Sequence, residues 1–294
     1  MSVEVGSIGL GTGENGMNPE YFRIIEYLKD RGIPVTLASN GYTVETTPDD
    51  ILKTFRDIEF SMDFPTEEEH DRFRGRGNWN RILKNIERCK KLGLEVSILA
   101  VLMNVNHHVL GQLAGFASSL GCNFRVNVFQ PVQNRNYQPT YEQYWDAFKG
   151  LFDEAALVSC TEPLINTFSG LNTIQGSPCG GKSIRVTPLK HVLPCVYWPG
   201  EKIKLDDLQD LKEAVWDTPP FQSARKVPET CKGCEYLENC RGGCRTRNLL
   251  LGKGDDPDHY CPIYRGDSKR LSPTLAVDKE LLRAKSICTT IVRA

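Results

Sequence analysis

The sequence predicts an α/β protein: five βα units of a barrel or an open parallel sheet, then a cysteine-rich module. Three observations predict it. Short apolar segments alternate with amphipathic ones, as in a parallel sheet covered by helices. The alternation repeats about every thirty residues, with strands beginning near residues 3, 33, 58, 94 and 124. Of the eleven cysteines, Cys179, Cys195, Cys231, Cys234, Cys240, Cys244 and Cys261 crowd the last third, whereas Cys89, Cys122, Cys160 and Cys288 are scattered. That change in cysteine density places a boundary near residue 160.

The elements follow in order. Val3 to Gly9 reads as a strand. Asn18 is a good helix cap with Pro19 at a first helical position, and Tyr21, Phe22, Ile25 and Leu28 then recur at helical spacing until Gly32. Ile33 to Ala38 is the second strand, Thr47 and Pro48 open a helix running to about Phe55, and Ile58 to Met62 is the third strand. Trp79, Ile82, Leu83, Ile86 and Leu92 stripe a helix that Gly93 stops, before a strand from Leu94 to Leu102. Residues 106 to 120 read as helix and Phe124 to Phe129 as the fifth strand. Tyr141, Tyr144, Trp145, Phe148 and Leu151 mark a helix over residues 140 to 156.

In such sheets reactive groups gather where strands end, because the loops there converge over one face. The strand ends are polar: Gly11-Thr12-Gly13-Glu14, Ser39-Asn40-Gly41, Ser61-Met62-Asp63, Asn104, and Asn127 to Gln130. Each alone is explained by turn formation. Five together point to a shared ligand cavity.

Composition narrows the partners. With 36 basic and 37 acidic side chains the formal charge is -1, and no basic stripe follows a phosphate backbone, so nucleic acid is not expected. The longest apolar runs are strand-sized and no signal pattern opens the sequence, so a cytoplasmic protein without membrane spans is expected. Cytosolic thiols stay reduced, which favours metal binding over disulfides.

The late cysteines read Cys231-x2-Cys234-x5-Cys240-x3-Cys244, then Cys261, with Cys179 and Cys195 upstream. Short spacings within turns supply several thiolates at little loop-closure cost, which suits an iron–sulfur core. Lys232, Gly233, Gly242, Gly243 and Arg245 offer tight turns and positive charge beside them. Tetrahedral zinc is the alternative, although seven cysteines divide awkwardly into closed zinc sites. Cys89, Cys122, Cys160 and Cys288 read as small buried hydrophobes. Arg185, Tyr197 and Trp198 border the cysteines in sequence, where a cavity wall, core packing and a surface place all remain open.

This cysteine run resembles the C-terminal SPASM domain of radical S-adenosylmethionine (SAM) enzymes, and the strand-end motifs are similar to those of the radical domain. The resemblance implies a partial TIM-like βα barrel over residues 1–160, a SPASM-type iron–sulfur domain over 161–270 and a C-terminal tail over 271–294. It implies that Gly11, Gly13 and Glu14 receive the methionine amino group of S-adenosylmethionine, with Ser39, Asn40 and Asp63 at the following strand ends. Within His70-Asp71-Arg72-Phe73-Arg74-Gly75, Arg74 or Arg72 pairs with its carboxylate, unless these are solvated surface arginines. Cys231, Cys234, Cys240 and Cys261 are implied to hold one 4Fe-4S cluster, and Cys179, Cys195 and Cys244 a second with one unmatched position, to be filled by Cys160, a substrate group or solvent. Lys190 stands where relatives place a glycine.

The family's Cys-x3-Cys-x2-Cys loop, which holds the SAM-cleaving cluster, does not occur in these 294 residues. The expectation is either a start codon placed too far downstream or loss of the opening segment, with Val3 to Gly9 left as an exposed edge prone to self-association. The implied function is radical C–H chemistry on a ribosomally made peptide, a protein side chain or a tetrapyrrole, with an electron donor such as flavodoxin or ferredoxin as partner. The alternative is a non-catalytic iron–sulfur or zinc protein: an electron carrier, scaffold or peptide-binding module.

Overall fold

A computed structural model describes residues 5–11, 13–171, 176–181, 183–276 and 288–294. The chain runs β1 (Ile8–Leu10), α1 (Tyr21–Asp30), β2 (Val35–Ser39), α2 (Tyr42–Thr46), α3 (Asp49–Leu52), β3 (Phe55–Ser61), α4 (Glu67–Arg74), α5 (Asn78–Lys91), β4 (Val96–Leu102), α6 (Leu110–Ser119), β5 (Asn123–Val128), α7 (Tyr141–Glu154) and β6 (Ala156–Cys160). After α8 (Pro163–Phe168) come the short strands β7 (Arg185–Val186), β8 (His191–Leu193) and β9 (Ile203–Lys204). Helices α9 (Asp207–Leu211), α10 (Pro219–Arg225), α11 (Leu237–Cys240) and α12 (Arg245–Leu250) follow, and β10 (Thr290–Arg293) returns to the main sheet.

That sheet has the order β1-β2-β3-β4-β5-β10-β6. Its first five strands are mutually parallel, and β10 lies antiparallel between β5 and β6. Helices connect the parallel strands, so Leu37, Ile58, Phe60, Ile98, Ala100, Phe124 and Val126 are buried in one continuous core. The cysteine-rich part carries a separate antiparallel sheet, β7-β8-β9.

The α/β expectation holds, and four strands fall where the apolar pattern placed them. Helix α7 is set by a capping box between Thr140 and Gln143, and it buries Tyr144, Trp145, Phe148 and Leu151 as expected. The first strand begins later than Val3, which lies outside the described residues along with Met1 and Ser2. β1 is the outer strand of the sheet among the described residues, and only three residues long.

Three local readings are corrected. Asn18 makes a turn rather than a cap, its Oδ1 accepting the Glu20 N–H at 2.9 Å, so α1 starts at Tyr21 and leaves Phe22 exposed. The helix expected from Thr47 to Phe55 is only α3, because the bond before Pro48 holds Thr47 extended and Phe55 already belongs to β3. β6 and β10 were not foreseen: residues 290–293, within the segment expected as a tail, form a strand whose Ile291 and Val292 are fully buried.

Candidate functional site: strand ends, barrel cavity and cysteine module

The strand ends converge. Glu14 accepts hydrogen bonds from Ser39 Oγ (2.6 Å), the Asn40 N–H (2.9 Å) and the Thr43 N–H (2.8 Å). Three of a carboxylate's roughly four acceptor positions are thereby filled, so Glu14 staples the β1 loop to the β2 loop and keeps little capacity for an ammonium group. A Cβ added at Gly11 would stand 4.0 Å from that of Ala38, and Gly13 has φ +74°; Thr12 between them lies outside the described residues. The Asn40 carbonyl accepts from Asn78 Nδ2 at 2.8 Å, and Asn78 Oδ1 meets His70 Nε2 at 2.8 Å.

Asp63 is fully buried and already paired. Its Oδ2 takes Arg74 Nε and Nη2, both at 2.6 Å, and its Oδ1 takes the Val101 N–H at 2.9 Å. Arg72 pairs with Glu68 on the surface. Buried acceptors at the strand ends are not all satisfied, since Asn104 Oδ1, Asn127 Oδ1 and Gln130 Oε1 find no partner among the described residues. An orphaned buried acceptor costs ~1–3 kcal/mol unless a ligand or water meets it.

Inside the barrel a cavity of ≈ 200 Å³ lies against Gly9 to Gly11, Asp57, Glu59, Arg125 and Asn127. Asp57 and Glu59 are two apart on β3 and so share a face. Arg125 of β5 reaches both, at 2.5 Å to Asp57 Oδ2 and 3.1 Å to Glu59 Oε1, and donates to Ser97 Oγ at 3.0 Å. Burial raises the pKa of both carboxyls against the lowering effect of Arg125, and Asp57 adds to the rise at Glu59. This charged trio went unread in the sequence, although Asp, Glu and Arg facing inward from strands were the available signal. Arg185 and Tyr197 of the cysteine module close the same cavity, whereas Trp198 packs beside Cys195 in a small core.

The sulfurs divide into two groups. Cys231, Cys234, Cys240 and Cys261 line one hollow with Phe168, Leu237, Gly242 and Pro257, which is the grouping the resemblance implied. Gly242 is required there: at φ +85°, an added Cβ would collide with the Pro228 ring and stand 3.5 Å from Cys231 Sγ. Burial pushes the Cys231 thiol up to about 11, so ligation must expel its proton. Lys232 pairs with Glu229 at 2.7 Å and is exposed; Arg245 Nε and Nη1 are buried without a partner among the described residues. Cys179 packs against the small core that contains Cys195, and Cys244 lies within electrostatic range of Cys179. Among the described residues no three His, Cys, Asp or Glu side chains converge on a single-ion site. The case for metal therefore rests on the donor set and the hollow the first four line.

The module is braced to the barrel by Arg247, which bonds Glu162 Oε1 at 2.9 Å and Asp258 Oδ2 at 2.6 Å. Asp258 also accepts the Cys244 N–H at 2.6 Å and so fixes one of the sulfurs directly.

Comparison with known proteins agrees with this geometry. Residues 2–117 match the radical SAM superfamily. The chain is 23% identical over 316 aligned residues to mycofactocin maturase MftC of Mycobacterium tuberculosis, covering 97% of this chain and 76% of that protein. It shares its fold with the structure of native anSMEcpe with bound AdoMet (TM-score 0.66, 20% identity, 88% of this chain and 80% of that one). The same holds for Streptococcus suis SuiB bound to its precursor peptide SuiA (TM-score 0.68, 18% identity, 87% and 65%). No helix among the described residues is long and apolar enough to cross a membrane. Residues 2–117 thus carry the likeness to the radical SAM superfamily, a family that uses a 4Fe-4S cluster and S-adenosylmethionine, and the parallel sheet agrees with that likeness.

Proposed function

We propose that this chain is the SAM-binding barrel and two-cluster module of an enzyme that modifies a ribosomally made peptide. The observation that carries the reading is the convergence of Cys231, Cys234, Cys240 and Cys261 on one hollow, in a module that also closes the barrel cavity through Arg185 and Tyr197. S-adenosylmethionine, cleaved reductively, supplies a carbon radical able to take hydrogen from an unactivated C–H bond. The chain's own groups bind and orient. The unsatisfied acceptors of Asn104, Asn127 and Gln130 suit the hydroxyls and amino group of a nucleoside. Arg74 is anchored by Asp63, which leaves it poised at the strand ends to meet a carboxylate. Arg125, with Asp57 and Glu59, presents fixed charge to the amide groups of an extended peptide entering the cavity. Enclosure by the cysteine module keeps water from the reacting carbon. The four-sulfur hollow and the group around Cys179, Cys195 and Cys244 would hold two auxiliary 4Fe-4S clusters, whose chemistry would be to accept an electron from the oxidised substrate.

One observation favours a second reading, an electron carrier or peptide-binding module: the 294 residues contain no Cys-x3-Cys-x2-Cys. Anaerobic reconstitution followed by iron and sulfide analysis, equilibrium dialysis with S-adenosylmethionine and chromatographic assay of 5′-deoxyadenosine separates the two. The expected result for these residues alone is two clusters and SAM binding without cleavage. If the gene encodes that cysteine triplet in frame ahead of Met1, the extended chain should release 5′-deoxyadenosine in the presence of dithionite. Clusters without SAM binding would leave the carrier reading, and zinc without iron would overturn both.

A further inference from the structure

Cys288 looks in the sequence like a spare core residue. In the structure it sits half-buried on the segment entering β10. Its Sγ is 3.4 Å from Ser177 Oγ, which also accepts the Cys179 N–H at 3.2 Å; Cys179 packs against the small core that contains Cys195, and the Cys288 and Cys179 thiols are close enough to shift each other's pKa. Cys244 lies within electrostatic range of both Cys179 and Cys288. Sulfurs from three stretches of chain, around residues 179–195, 244 and 288, thus lie near one another.

We propose that Cys288 is the fourth protein ligand of the iron–sulfur cluster held by Cys179, Cys195 and Cys244, so that this cluster has no open iron. The inference rests on the two-cluster reading above. Each thiol loses its proton as its sulfur–iron bond forms, and ligation itself transfers no electron.

Two further features fit Cys288 for the role. The neighbouring Thr289 is locked to the sheet, its N–H donating to Thr161 Oγ1 at 3.1 Å and its carbonyl accepting the Thr161 N–H at 2.8 Å. β10 itself is hydrogen-bonded on both sides, so the barrel holds this sulfur in place. Cys160, the other protein candidate, is engaged elsewhere: its Sγ is 3.3 Å from Thr290 Oγ1 and 3.6 Å from the Glu162 carbonyl, within the sheet. A fully ligated cluster relays electrons and does not coordinate substrate, which assigns the substrate's position to the barrel cavity and not to this iron.

A 4Fe-4S cluster with one iron lacking a thiolate sheds that iron on mild oxidation, leaving a three-iron cluster with a distinct electron paramagnetic resonance signal. The test compares reconstituted wild type, Cys288→Ala and Cys288→Ser after brief ferricyanide treatment, with Cys160→Ala as control and no substrate present. Wild type and Cys160→Ala should give little three-iron signal, Cys288→Ala several-fold more, and Cys288→Ser an intermediate amount with a shifted cluster potential. Ready conversion of the wild type, or no change in either Cys288 variant, would overturn the assignment while leaving two clusters intact. Wild type that retains one cluster or none would instead remove the reading on which the assignment rests. Because the wild type alone discriminates a closed cluster from an open one, a variant that fails to fold does not blunt the test. A Cys179–Cys288 disulfide in the iron-loaded wild type, found by mass spectrometry, would equally overturn it.

Discussion

Two buried arginines, each facing two carboxylates, divide the molecule's electrostatics between them. Arg247 bonds Glu162 and Asp258 with all three side chains almost wholly removed from solvent, and Tyr260, its ring centre 4.9 Å from the guanidinium, stacks on Tyr144 at 4.2 Å. Arg125 bonds Asp57 and Glu59 with comparable geometry, but the trio forms part of a cavity wall. The first is a strut that fixes Cys244 through Asp258 and ties the cysteine module to the end of β6. The second has space in front of it, so water or a ligand can meet charge the protein does not itself neutralise. Similar chemistry serves as a brace where packing closes around it and as a recognition surface where packing stops.

Substitutions test that contrast. Arg247→Met should have the largest effect, since removing the cation strands two carboxylates in a sealed site, at a cost of about 3–5 kcal/mol. Anaerobic urea unfolding should show the shift, and iron analysis should show loss from the cluster proposed to use Cys244. Arg125→Met should cost less, about 1–3 kcal/mol, because cavity water can solvate the freed carboxylates, and it should weaken binding of a substrate peptide while leaving iron content unchanged. Equal destabilisation by the two variants would break the comparison. Glu59→Gln should change stability least at neutral pH and sharpen the comparison through its pH dependence. Burial, then Asp57, raise the Glu59 pKa in the fold. Between the unfolded carboxylate value of about 4 and that raised value the folded state holds more protons, so stability falls as pH rises through this window. Unfolding free energies measured from about pH 4 to pH 8 should vary less steeply with pH for Glu59→Gln than for the wild type.

What the sequence revealed was local. Alternating apolar segments located β2 to β5 because each strand and its covering helix are neighbours in the chain, and the spacing Cys231-x2-Cys234-x5-Cys240 sits in tight turns that need no distant partner. Even Lys190, noted for standing where a glycine was expected, adopts φ +58° at the turn between β7 and β8, a conformation that costs a non-glycine residue about 1–2 kcal/mol. The long-range pairings stayed hidden. β10 is four residues whose identity as a strand depends on β5 and β6, and the place of Cys288 depends on β10. Glu14, Arg74 and Asp63 were found as residues, but the bonds from Glu14 to the loop after β2 and from Arg74 to Asp63 could not be read from spacing.

The insertion of β10 between β5 and β6 also sets an order of events during synthesis. Thr290 pairs with Cys160 across 130 positions, so the ribosome must make the whole cysteine module before the gap in the sheet can be filled. Until then β5 and β6 each present an open edge of the kind that invites mispairing in a nascent chain. Closure of the barrel is thus a late step of maturation, gated by the segment that carries Cys288.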